Sequence, residues 1–251
     1  MVNHPNLTRR MILGATLAIL PLSARAQSSL LDQGKKLLGN SAGPAKTGAS
    51  LSEGQIGGGL RDALRVASQR VVGRLGKTDG FNGDPAIRIP LPGPVETVAG
   101  PLKSIGASGI IDDLQLKMNR AAEQAAPKAL SIFTDAVSKM SIDDARGILQ
   151  GPNDAATQYF RRKASDDLTA SFTPIVDRSL SGTGAVQAFH SVQSKASGLP
   201  FVGGNLSSFN LTNFTVGKAL EGLFHYLAVE EEAIRTNPVA RSTDLLKKVF
   251  G

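Results

Sequence analysis

The polar residues that can carry chemistry are few, and they recur at helical spacing. Asn119, Arg120 and Glu123 fall on one side of a single predicted helix, opposite its apolar stripe. Asp154, Thr157, Gln158 and Arg161 form a second ridge by steps of three and four, with Tyr159 beside it. Glu231 and Arg235 are a third pair, four apart. A carboxylate beside a guanidinium can grip an anionic or carbonyl-bearing ligand. In a cleft such a carboxylate can also serve hydrolase-type acid–base work. One expectation is therefore that Asn119, Arg120, Glu123, Asp154, Thr157, Tyr159 and Arg161 converge on a polar cleft. The plain alternative is solvated helix faces and interhelix hydrogen bonds. Ion pairs at i,i+4 contribute only ~0.3–0.5 kcal/mol and are common on helices, which favours that alternative.

Other chemistries find no footing. The 251 residues contain no Cys and three His, so thiol nucleophiles, disulfide scaffolds and Cys-based zinc sites are excluded. His190 and His225 lie in separate segments, and neither has a second ligand at metal spacing. No metal and no cofactor is expected. Gly76-Lys77-Thr78 imitates the end of a phosphate-binding loop, but Val71 stands where that loop needs its first Gly. No Gly-x-Ser-x-Gly pattern is present.

The elements that must position these residues are helices. Residues 1–26 read as an export leader: Arg9-Arg10, an apolar run from Met11 to Leu20, and Ala24-Arg25-Ala26 as a cleavage site. The Arg pair is twin-arginine-like. The expected compartment is the periplasm, with the mature chain starting near Gln27. Residues 27–50 read as a flexible linker with one possible short helix. Beyond Leu51 the 3.6-residue period dominates, and a single helical domain is expected over residues 51–251. A helix capped by Ser52 carries Ile56, Leu60, Leu64, Ala67, Val71 and Leu75 as its stripe and stops at Gly76. Further helices are predicted near 94–105, 109–125, 127–140, 142–149, 153–180, 183–197, 211–235 and 241–249, with a kink at Pro174. Between the first two, residues 78–94 hold four Pro, and Ile87, Ile89 and Leu91 alternate with Arg88 and Pro90. That pattern predicts an extended segment with every other side chain buried. The fold class is thus all-α, a compact multi-helix bundle with an extended Pro-rich segment near 79–94, and no apolar run long enough to span a membrane.

Several segments in order carry a resemblance. They are Asp79-Gly80-Phe81 with Asp84-Pro85-Ala86-Ile87-Arg88-Ile89-Pro90-Leu91-Pro92, then Met118-Asn119-Arg120-Ala121-Ala122-Glu123. Asp154-Ala155-Ala156-Thr157-Gln158-Tyr159-Phe160-Arg161, Glu230-Glu231-Glu232-Ala233-Ile234-Arg235 and the run from Thr243 to Gly251 follow. Over about Leu51 to Gly251 the chain resembles the exported bacterial family catalogued as domain of unknown function 4197. The resemblance implies one exported helical domain and names no activity.

The charge fits that picture. The chain carries +7 overall, but three of its basic residues belong to the leader. Without them 25 basic residues face 21 acids, a net of +4. The acids are interspersed and aromatics are scarce, so no nucleic-acid partner is expected. Three roles stand beside each other: a non-catalytic interaction or structural module, a carrier of a lipid or other apolar ligand between helices, and a hydrolase using the two ridges. The partner is accordingly an unknown protein or an apolar small molecule.

Overall fold

A computed structural model describes residues 53–104, 106, 108–196 and 209–237. The leader, the linker, the Ser52 cap and the helix expected at 241–249 lie outside the described residues. Within them the all-α expectation holds: the elements are helices and turns, with no strand. In chain order they are α1 (Glu53–Leu75), α2 (Gly93–Ser104), α3 (Ser108–Ala125), a 3₁₀ turn (Ala126–Lys128), α4 (Ala129–Ser138), α5 (Ile142–Gln150), α6 (Ala155–Gly182), α7 (Ala185–Ala196) and α8 (Leu211–Thr236). None of these helices is long and apolar enough to cross a membrane.

The stripes read from the sequence are the buried faces. On α3, Ile111, Leu114, Met118, Ala121, Ala122 and Ala125 are buried. On α6, Phe160, Ala164, Leu168, Phe172, Val176 and Leu180 are buried, one every turn. Pro174 sits on the exposed side, and the helix runs on past it to Gly182. The most extensive helix contact is between α6 and α8, and α6 also packs on α3 while α1 lies against α4 and α8. Phe133 of α4 joins this junction, with its ring centroid 4.7 Å from Phe160 and 6.4 Å from Phe224. Aromatic pairs at such spacing add about 0.5–1.5 kcal/mol beyond burial.

The segment between α1 and α2 differs from its expectation in one half. Residues 88–92 have no helix or turn, and Ile87 and Ile89 are buried while Arg88 and Pro90 face out, the alternation expected of an extended segment, with Leu91 half-buried. Residues 76–87 instead form consecutive turns. Gly80 N–H donates to Lys77 O at 3.0 Å, Gly83 N–H to Asp79 O at 3.0 Å, and Arg88 N–H to Asp84 O at 2.8 Å. The turns place Phe81 fully inside the core. Asp79 takes the left-handed conformation, φ 64°, which Asp tolerates better than most residues because its carboxylate bonds locally. Gly80 cannot carry a side chain, since a Cβ there would stand 2.5 Å from Leu75 O.

This strap lies across α8 at a glycine. A Cβ on Gly222 would meet Phe81 at 2.8 Å and Ile87 at 3.2 Å, whereas one on Gly217 of the same helix would meet nothing within 4 Å. Gly222→Ala should therefore destabilise, by about 1–3 kcal/mol from overpacking. Gly217→Ala should stabilise by about 0.5–1 kcal/mol through helix propensity. Urea unfolding followed by circular dichroism reads both, and equal signs would mean the strap does not sit on α8 this way.

Candidate functional site

The residues of the first ridge grip the strap. Asn119 and Glu123 are buried, at 0% and 4% exposure, not on the solvent side of α3 as their position opposite the apolar stripe implied. The reason is that the strap covers that side. Asn119 Oδ1 accepts from Ile89 N–H at 2.8 Å, and its Nδ2 donates to Ile89 O at 3.0 Å. One amide side chain thus replaces the strand partner that Ile89 lacks. Gln115 Nε2 adds a donor to the same carbonyl at 3.1 Å. Glu123 Oε1 accepts from Phe81 N–H and Asn82 N–H, each at 3.1 Å. Its Oε2 receives Arg120 Nη1 at 2.7 Å, and Arg120 Nη2 reaches Asp79 Oδ1 at 2.8 Å. The hydrogen bonds of Asn82 and Arg120 hold the Asp79 carboxyl below its ordinary range.

The second ridge disperses. Asp154 is the residue before α6, yet its side chain makes no cap bond and accepts from Gln158 Nε2 at 2.9 Å instead. The cap comes from α8. Glu231, 6% exposed, accepts from Ala156 N–H and Thr157 N–H, both at 2.8 Å, and from Thr157 Oγ1 at 3.0 Å. These are the N–H groups an N-cap side chain normally takes, and the positive end of the α6 dipole favours the carboxylate. Arg235 Nη2 closes the cluster, 2.9 Å from Glu231 Oε1 and 2.7 Å from Ile148 O of α5. Tyr159 is buried and donates to Ala136 O at 2.9 Å. Arg161 lies over the Phe224 ring at 4.4 Å. Thr157 is thus tied to α8, Tyr159 to α4, and Asp154 stays on its own helix. The structure brings Asn119, Arg120 and Glu123 together, and it assigns Asp154, Thr157, Tyr159 and Arg161 to separate contacts.

A third cluster was not singled out in the sequence. Tyr226 Oη donates to Asp84 Oδ2, and Arg74 Nη2 donates to Asp84 Oδ2 at 2.8 Å and to Tyr226 Oη at 2.9 Å. The Arg74 guanidinium also lies 3.9 Å from the centre of the Tyr226 ring. The partners are 142 and 10 positions from Asp84, so no local spacing announces them. The tyrosine hydrogen bond, first of all, lowers the Asp84 pKa below its ordinary value. Burial, then the Asp84 contact, raises that of Tyr226. The apolar void between α1, α6 and α8 measures about 20 Å³, a water-sized space and not one for an acyl chain.

Two outcomes follow from these contacts. Glu231→Ala removes the carboxylate from Arg235 and leaves two N–H groups of α6 unmatched, and should cost about 3–5 kcal/mol of unfolding free energy. Asp154→Ala, though at the cap position, should change stability by no more than about 0.5 kcal/mol. A larger loss for Asp154→Ala in denaturant titration would reverse the assignment of the cap. For Asp84, a folded pKa below the unfolded one means its stabilisation is present above the unfolded value and lost as pH falls through the folded one. Tyr226→Phe should move the Asp84 titration upward in a carboxyl-detected NMR series, and an unmoved midpoint would break the link.

No curated protein and no solved structure matches the chain. The model of the family described as protein of unknown function (DUF4197) matches residues 50–251, and the chain belongs to that family.

Proposed function

We propose that the protein is an exported, non-catalytic interaction module, a rigid helical body that presents a fixed surface to a protein partner. The observation that carries this reading is the state of Glu123 and Glu231. Both are buried, and both have their oxygens occupied by backbone N–H groups and an arginine. Of the two ridge acids that hydrolytic chemistry would recruit, Glu123 is spent on joining the strap to α3, and Asp154 accepts from Gln158 on its own helix. Export rests on the leader pattern of residues 1–26.

The surface best suited to a partner is the groove between the start of α1 and α5. It encloses about 400 Å³ over Ile56, Ala145 and Leu149, with Arg61 and Arg146 among its lining residues. Ile142, also in the lining, is 57% exposed, uncommon for a large aliphatic side chain here. Arg61 Nη2 donates to Met140 O at 2.6 Å, while its Nε is buried with no partner among the described residues. An apolar protein segment flanked by acidic side chains complements such a groove.

A photo-crosslinker placed at Gln150, which lines the groove, tests this in cells that export the full chain. One crosslinked partner is expected, and Ile142→Asp should reduce its yield about tenfold. An acid at the first position of α5 is compatible with the helix, so the melting curve should stay in place. An undiminished crosslink in Ile142→Asp overturns the groove. Turnover of an ester, peptide or phosphoester substrate by purified protein, lost in a folded Glu123→Gln variant, overturns the non-catalytic reading.

A further inference from the structure

The strap carries an arginine, Arg88, whose guanidinium has no partner among the described residues. Arg74, Arg120 and Arg235 are each committed to carboxylates. The Arg88 side chain makes no hydrogen bond or ion pair among the described residues, and it is exposed. Its backbone is nevertheless fixed on both sides. Arg88 N–H is bound by Asp84 O at 2.8 Å, and the next residue, Ile89, is held through N–H and C=O by Asn119. The buried side chains of Ile87 and Ile89 set the alternation, so Arg88 is presented outward from an anchored position.

It opens onto a cleft of about 350 Å³ between the strap and α8. Lys218 and His225 line the same cleft from α8. Gly222 lies between them, and its missing side chain lets the strap approach closely. The one acid in the lining, Glu221, is paired with Lys218 at 2.7 Å. Arg88 and Lys218 thus outnumber the acid of the lining by one. The cleft volume lies at the lower end of the about 300–1,000 Å³ typical of small-molecule sites.

We infer that this cleft binds a compact oxyanion, a phosphate group either free or borne on a lipid headgroup, with Arg88 as its principal ligand. A guanidinium offers two parallel N–H donors to such a group. Lys218 and His225 supply further donors from a second, rigid element. The site is independent of the α1–α5 groove, which lies on other residues.

Titration calorimetry of the full chain with inorganic phosphate, at physiological salt, tests the assignment. Saturable one-to-one binding is expected. Arg88→Gln should weaken it about tenfold or more. Arg162→Gln, which removes an exposed arginine outside the cleft, should leave it unchanged. Glu221→Gln should tighten binding, because it removes the competing acid and frees Lys218. Absence of saturation, an Arg88→Gln variant equal to wild type, or equal losses in Arg88→Gln and Arg162→Gln would each overturn the site. A tightening absent in Glu221→Gln would overturn the part given to Lys218. Sedimentation with vesicles of phosphatidylglycerol in phosphatidylcholine separates the two sources. Pelleting that phosphate competes away assigns the headgroup, and saturable phosphate binding without pelleting assigns the free anion.

Discussion

A carboxylate buried between helices is tolerable only when its lone pairs are filled, and Glu231 fills its own with the opening of another helix. The first N–H groups of α6 have no partners within the helix. Burying them unmatched would cost about 1–3 kcal/mol each. Glu231 settles both deficits at once: the donors gain an acceptor, and the carboxylate gains donors and Arg235. Because Arg235 also bonds Ile148 O, one side-chain cluster ties α8 to α6 and α5. The helix contact that dominates the fold, α6 on α8, is pinned at this point.

The same logic recurs at the strap, where the debt is larger. Residues 76–92 form no regular structure, so their buried backbone groups need partners from elsewhere. α3 provides them from three successive side chains on one face: Gln115, Asn119 and Glu123. Arg120 ties the Glu123 carboxylate to Asp79 at the left-handed corner of the turn. The strap can then bury Phe81, Ile87 and Ile89 without leaving peptide groups orphaned. Hydrophobic burial and backbone satisfaction depend on each other here, since neither the apolar side chains nor the amide ladder would hold the segment alone.

The helices were legible because their stripes are long and regular. Phe160, Ala164, Leu168, Phe172, Val176 and Leu180 repeat with the helical period and are all buried. The alternation of Ile87 and Ile89 with Arg88 and Pro90 was legible for the same reason, with a period of two. The roles of Asn119 and Glu123 were not. Period arguments assume that a helix has one partner side, whereas α3 has the core on one side and the strap on the other. A polar residue that contacts peptide groups and one that contacts water have the same spacing. The ridge at Asp154 misled in a different way. Its members share a face by spacing, but the acid that binds Ala156 and Thr157 lies 77 positions after Asp154, and nothing local marks it. The Arg74, Asp84 and Tyr226 cluster was hidden by the same kind of separation.

That distance also explains why buried acids suit this architecture. An ion pair under helices is often no more stabilising than well-packed apolar residues of equal volume, so stability alone does not account for Glu231. Register does. Apolar helix faces can slide against one another with modest loss, since similar side chains meet after a shift. A shift of α8 by one residue would displace the Glu231 Cα about 1.5 Å along the axis and swing it by about 100°. Two hydrogen bonds at 2.8 Å to Ala156 and Thr157 do not survive that, and the charge would be left buried. The penalty falls on misregistered packings and not on the native one. It therefore selects a single alignment of α6 and α8, and with it the place of Phe224 against Phe133 and of Gly222 beneath the strap.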